Sequence, residues 1–212
     1  MVGSGGCMRE LAWQIQEQNK KEDGWKIIGY VDVKKPLDER GMLVGNQWIP
    51  YLGDDDYLLK SSEKTNVAVC VGEPLLRKKI AENLMRNPNL EFPNLILEDT
   101  RICSDVKMGK GCIISMDAGV STNVSLGDFV FLNIGSMVCH DGHLGDFVTL
   151  SPRVTLAGNV SVGNLCEIGM GTNVRQGICI GENAIVGAGS VVVKDVEGNC
   201  TVAGVPAKKI RG

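Results

Sequence analysis

From Ile102 to Val192 every sixth residue is apolar, without one polar residue or slip: Ile102, Met108, Ile114, Val120, Leu126, Leu132, Val138 and on through Leu144, Val162 and Ile180. Four positions after each, a small or β-branched residue usually recurs, as in Val106, Cys112, Ala118, Val124 and Val130. Neither the period of a helix nor that of an extended strand gives six. An unbroken period of six predicts a parallel β-helix, in which each short strand is followed by a turn and stacks on the next coil. A longer period lies over it. The pairs Met108-Gly109, Leu126-Gly127, Leu144-Gly145, Val162-Gly163 and Ile180-Gly181 recur every 18 residues. Three hexads therefore make one coil of a triangular prism, and residues i and i+18 stack at the inter-strand distance of about 4.8 Å.

Residues 1 to 97 follow other periods. In 8-MRELAWQI-15, Met8, Leu11, Ala12 and Ile15 hold the spacing of a helix with one buried face. The runs 25-WKIIGYVD-32 and 67-VAVCVG-72 predict strands, 42-MLVGNQWIPYLG-53 a small hairpin, and 74-PLLRKKIAENLMRN-87 a helix whose proline suits its first turn. This alternation predicts a compact α/β domain with a largely parallel sheet over 1–97, ahead of a β-helix over 98–212.

Composition narrows the partners. The 212 residues carry a net charge of −3 with neither sign gathered into a block, so no nucleic acid and no anionic membrane is expected as a partner. No apolar run reaches the roughly 20 residues that cross a bilayer, and MVGSGGCMRE lacks a basic then apolar leader, so a cytoplasmic protein is expected. The 8 cysteines form no CxxC pair and are expected as reduced packing residues.

Both histidines lie in 132-LNIGSMVCHDGHLGDFV-148. The β-helix fold also hosts zinc sites built from three histidines, but this chain has 2, in one hexad, so no metal is expected. The 18-residue register places His140 between Thr122 on the coil before and Gly158 on the coil after. A glycine above an imidazole leaves room for a ligand and offers a backbone N–H. Gly142 stands where most hexads have Val, Ala, Cys or Ser, and predicts a thinned wall beside His140. These pieces suit acyl transfer from a thioester: a neutral imidazole takes the proton of an incoming amine or hydroxyl, and Gly158 N–H receives the oxyanion. His143, in line with Ser125 and Ser161, reads as a surface residue.

The hexad array and the closing 203-AGVPAKKIRG-212 resemble the bacterial hexapeptide acyltransferases. The glycine-rich start 3-GSGGCMRE, then GYVD, VCVGEPLLRKKI, 138-VCHDGHLGDF-147 and 156-LAGNVSVG-163 extend the resemblance over the whole chain, to the subfamily of nucleotide-sugar N-acetyltransferases and sialic acid O-acetyltransferases. The resemblance implies a Rossmann-like α/β domain followed by a left-handed parallel β-helix, a homotrimer, acetyl-CoA as co-substrate and a nucleotide sugar as acceptor. It makes His140 the general base and Asp141 the carboxylate that raises its basicity, a pairing that requires a turn; the 18-residue register itself stacks Asn123 and Asn159 against Asp141. The resemblance also carries Asn133, Thr149, Met170 and Ala188 onto the acetyl-CoA groove, and Gly5, Gly6, Cys7, Asp32 and Gly72 onto the nucleotide sugar.

Three features depart from the pattern. Only Met1 and Val2 precede Gly3, so the expectation is that the first strand is missing or that the chain has a misplaced start; Cys7 stands where the loop usually has histidine; and the acidic pair after the second strand is reduced to Asp32. The rival readings are an O-acetyltransferase acting on a sugar hydroxyl, and a non-catalytic β-helix that binds nucleotide sugar.

Overall fold

The computed structural model describes residues 1–21 and 24–211. It divides into two compact units, one of Met1–Gly72 with Leu76–Pro93, the other of Glu73–Leu75 with Asn94–Gly212.

In the first unit the predicted helix extends by two or more residues at each end, to Gly6–Gln18 (α1), and buries Met8, Leu11, Ala12 and Ile15 as their spacing requires. The helix after Pro74 runs Pro74–Leu84 (α3), and a short helix, Asp55–Leu59 (α2), is capped by the Asp54 carboxylate accepting from the Asp56 N–H. Regular strand is shorter than predicted. Tyr30–Val31 is all that survives of 25–32, and only Met42–Val44 and Gln47–Ile49 form the hairpin. Tyr51–Gly53 instead pairs in parallel with Tyr30–Val31.

The strand expected to be missing is present as a stub. Val2 bridges both Val31 and Val69 in parallel, donating to Ala68 O and accepting from Cys70 N, while Gly3 N–H donates to Val31 O. Thr65–Asn66 pairs in parallel with Leu90–Glu91. The spatial order is therefore 51–53, 30–31, Val2, 65–70, 90–91, which is 3-2-1-4-5 in chain order. In such sheets ligands bind at the carboxyl ends of the strands where the order reverses, here between Val2 and Val69.

The second unit is a parallel solenoid with three faces. Strands Leu95–Ile96, Ile113–Ile114, Phe131–Leu132, Thr149–Leu150, Glu167–Ile168 and Ile185–Val186 make the first, continued by Thr201–Ala203 and an antiparallel Lys208–Arg211. Arg101–Ile102 through Val191–Val192 make the second, and Lys107–Met108 through Cys179–Ile180 the third. Pairings between successive coils have the register i to i+18, as in Met137↔Thr155 and Leu126↔Leu144, up to the last coil, where the register shortens to i+16 in Ile185↔Thr201 and Ile180↔Val196. The inward residue of each strand and the small residue four positions on line one core; Leu132, Val138, Leu144, Leu150 and Val160 are fully buried.

The six-residue period is enforced at the corners. One residue per hexad is left-handed: Asp117, Asn123, Phe129, Gly135, Asp141, Phe147 and their successors all have φ between 54° and 75°. Asn, Asp and Gly tolerate that conformation best. From Phe129 onward the N–H of each such residue donates to a carbonyl of the coil before, as Asp141 does to Thr122 and Asn159 to His140, whereas that of Asn123 donates to the Asp105 carboxylate. Phe129 and Phe147 are unusual occupants. Their rings, buried and stacked at 5.1 Å with an interplanar angle of 3°, offset the cost with contact area.

All 8 cysteines are free, but the packing role holds for only part of them: Cys70, Cys112, Cys166 and Cys200 are buried, while Cys103 and Cys179 are exposed. Both follow or form an outward strand position, which the period alone does not reserve for small apolar residues.

Candidate active site

His140 and Asp141 form the corner between the second and third faces, after Met137–Val138 and before His143–Leu144. The left-handed turn at Asp141, with φ of 58°, brings together two side chains that a strand would point apart. His140 Nδ1 lies 2.8 Å from Asp141 Oδ2, and Asn123 Nδ2 donates to Asp141 Oδ1 at 2.7 Å. These two bonds, that of Asn123 foremost, hold the Asp141 carboxyl below its ordinary range. An ionised carboxylate only accepts, so a neutral His140 carries its proton on Nδ1 and keeps the Nε2 lone pair free. Both side chains are about half exposed, within reach of a substrate.

Gly158, on the next coil, lies against the ring. A Cβ built there would collide with Cε1 and Nε2 of His140, so only glycine lets the imidazole take this place. The Gly158 N–H has no partner among the described residues, as is also true of the Thr122 and His140 N–H groups at the same turn position. It is free to receive a developing negative charge. Asn159 meets the site through its backbone, donating its N–H to His140 O at 2.8 Å.

One reading needs correction. Gly142 does not thin the wall: the space its side chain would take is filled by Val138 Cγ1 and the Cys139 carbonyl. The network also extends to a residue that sequence reasoning missed. Asp105 Oδ2 accepts from Thr122 Oγ1 at 2.6 Å and from Asn123 N at 3.0 Å. Its place 18 residues before Asn123 was a usable signal. His143 lies on a strand, exposed, with Nδ1 2.7 Å from Ser125 Oγ.

The residues assigned to the coenzyme groove are not gathered at His140. Met170 and Ala188 stack on successive coils at the corner between the first and second faces, linked by Gly189 N donating to Met170 O, and both are exposed. Asn133 enters the same corner two coils earlier, its Oδ1 accepting from Ile134 N at 2.7 Å. Thr149 is buried on the first face. The second face thus separates this set from His140 within one chain.

In the first unit, Gly5 caps α1 with extended backbone and no side-chain bond. A Cβ at Gly5, Gly6 or Gly72 would meet nothing, so the surface there is open. Gly3, Asp32 and Val71-Gly72 follow three adjacent parallel strands at the point where the strand order reverses. The helix N-terminus and the open glycines suit a phosphate group. Asp32 Oδ1 accepts from Lys34 N at 2.7 Å, leaving its second oxygen available. Cys7 is the second residue of the helix, and burial first, then Cys70, pushes its thiol well above the ordinary range, so it stays neutral. The buried Arg77 guanidinium donates to Val71 O and Gly72 O, each at 2.8 Å, and holds that loop.

Residues 1–84 match the family model described as the PglD N-terminal domain. The acetyltransferase domain of PglB from Neisseria gonorrhoeae, solved with acetyl coenzyme A, is 30% identical, with a TM-score of 0.87 over 99% of this chain and 97% of that one. The chain belongs to the hexapeptide-repeat acetyltransferase subfamily that its sequence resembles. A variant of perosamine N-acetyltransferase from Caulobacter crescentus, solved with CoA and GDP-perosamine, is 28% identical, with a TM-score of 0.87 over 100% of this chain and 95% of that one. Galactoside O-acetyltransferase of Escherichia coli is 42% identical over 52 residues, 24% of this chain. The chain spans about a quarter of the length of the curated relatives it matches, 26% in that case. Among the described residues no helix is long and apolar enough to cross a membrane.

Proposed function

We propose that this acyltransferase moves the acetyl group of acetyl-CoA onto the amino group of a sugar carried by a nucleoside diphosphate, with His140 as general base. The observation that carries the reading is the set Asn123–Asp141–His140 stacked on Gly158. It leaves one imidazole nitrogen basic, aimed away from its carboxylate partner, beside an unpartnered backbone donor. The complexes of the two solved relatives support the choice of substrates.

The amine attacks the thioester carbonyl carbon while His140 Nε2 takes its proton, and Asp141 stabilises the imidazolium that forms. The Gly158 N–H receives the oxyanion, a role whose removal commonly costs about 2.7–4 kcal/mol. When the C–S bond breaks, the sulfur leaves as thiolate and His140 returns the proton to it. Gly5, Gly6, Gly72 and Asp32, with Cys7 behind them, hold the diphosphate and ribose. Asn133, Thr149, Met170 and Ala188 line the coenzyme arm. Because they lie across the second face from His140, the complete site takes residues from two copies, which fits the homotrimer that the resemblance implies.

Thiol release from acetyl-CoA, measured over amino sugars linked to UDP, dTDP and GDP, tests this reading. Turnover with one amino sugar and none with its hydroxyl counterpart is the expected result. Activity confined to sugar hydroxyls would favour O-acetylation by the same base. No turnover with any acceptor, alongside nucleotide-sugar binding, would favour the scaffold reading.

A further inference from the structure

We propose that Asn123 and Asp105 are positioning residues that hold Asp141, and through it the His140 imidazole, in one tautomer and orientation. The proposal rests on the reading of His140 as the base.

A half-exposed aspartate at a turn has no reason of its own to keep one rotamer. Asp141 is gripped on opposite oxygens, Oδ2 by His140 and Oδ1 by Asn123. Since the carboxylate can only accept, the Asn123 amide must present Nδ2 to it, which fixes which way that amide faces. Asn123 is fixed in turn: its backbone is left-handed, with φ of 54°, and its N–H is held by Asp105 Oδ2 at 3.0 Å, the oxygen that also accepts from Thr122 at 2.6 Å. The brace runs through three successive coils at the interval of 18 residues.

The other corners mostly show ordinary turn capping, although Asn183 Nδ2 donates to Asn199 Oδ1 at 3.0 Å, a side-chain pair without an imidazole. Between the third and first faces Asp128 Oδ1 accepts from Lys110 N, Asp146 Oδ1 from Asp128 N and Asn164 Oδ1 from Asp146 N, so each side chain closes the backbone of the coil before. Asp105 Oδ2 also closes a backbone N–H, that of Asn123 on the coil after it. On the next coil the pattern changes. The bonds of the Asp141 carboxylate run to two side chains, and one of them is the imidazole. The ladder is thus diverted from backbone closure to His140 at the one coil that carries it.

Because the chain has 2 histidines, long-range 15N–1H spectra of its imidazoles contain two ring systems and separate His140 from His143. In the wild type, His140 should appear as the Nδ1–H tautomer. Asn123→Gly tolerates the left-handed turn and removes the amide. It should mix the His140 tautomers, leave the His143 signals unmoved, and lower kcat about tenfold with both KM values unchanged, the low end of what an outer partner of a working histidine is worth. Asp105→Ala, at an exposed site, should shift both readouts the same way by less, and serves if the glycine variant does not fold. An unchanged His140 tautomer in both variants overturns the proposal, as does a shifted tautomer with wild-type kcat. Wild-type kcat in His140→Ala would instead sink the base reading, and the ring spectra tell the two failures apart.

Discussion

His140 and His143 are three positions apart and each meets a polar side chain through Nδ1, yet their surroundings differ in kind. His140 occupies a corner, where the left-handed turn at Asp141 folds a carboxylate back onto the ring and Gly158 clears the coil above. His143 occupies a strand, its Nδ1 against the Ser125 hydroxyl and Ser161 in register on the other side. A hydroxyl can donate or accept, so it selects no tautomer, whereas an ionised carboxylate selects Nδ1–H. The prism offers a candidate base where a corner supplies charge and space together, and a surface residue where a strand supplies neither.

The comparison breaks most readily at the ring itself. His140→Ala removes no core residue, so fold and coenzyme binding should persist while kcat falls by about 10²–10⁴-fold with little change in either KM. Steady-state thiol release checks it. Asp141→Asn keeps a residue at ease in the left-handed turn but lets an amide donate to Nδ1, which puts the ring proton on Nε2. Turnover should fall by about 10²-fold, short of the loss seen when the same change is made in a serine protease triad. Gly158→Ala drives a methyl group into the imidazole. The ring is half exposed and can swing away, so the melting temperature should hold while kcat drops by about 30-fold from displaced geometry. A variant with intact kcat would show that the ring need not lie over residue 158.

Smaller effects sharpen the contrast. Asp32→Ala should raise KM for the nucleotide sugar by about tenfold, the worth of one hydrogen bond to a charged group, and leave KM for acetyl-CoA alone. Equal KM values would remove Asp32 from the nucleotide site. His143→Ala should stay within about twofold of wild type, as exposed substitutions do. The pH dependence separates the pair as well. The Asp141 carboxyl is held low by Asn123 and then by His140, so its contribution is present above the ordinary carboxylate range and is lost only as pH falls through the lowered value.

The solenoid was legible almost residue by residue. A coil of constant length makes neighbours of i and i+18, so the stacking of Thr122, His140 and Gly158 could be read before any coordinate. The same arithmetic reaches Asp105 from Asn123. The first unit was far less legible. Its strands are two or three residues long, and pairs such as Val2 with Val69 join segments with no common period. Gly142 misled because an absent side chain in the sequence says nothing of what fills its place, here Val138.

The sequence by itself determined the hexad period, the coil-to-coil register and the column of residues above and below His140, because covalent spacing repeats and each coil repeats it. Only the tertiary structure decided which Asp141 oxygen meets the imidazole, that Asn123 grips the other, and that Met170 and Ala188 stand at a different corner from His140. It also decided that Val2 completes a 3-2-1-4-5 sheet. The physical reason is that register follows from chain length per coil, while side-chain direction at a left-handed turn and the pairing of short, distant strands depend on hydrogen-bond partners that no local pattern specifies.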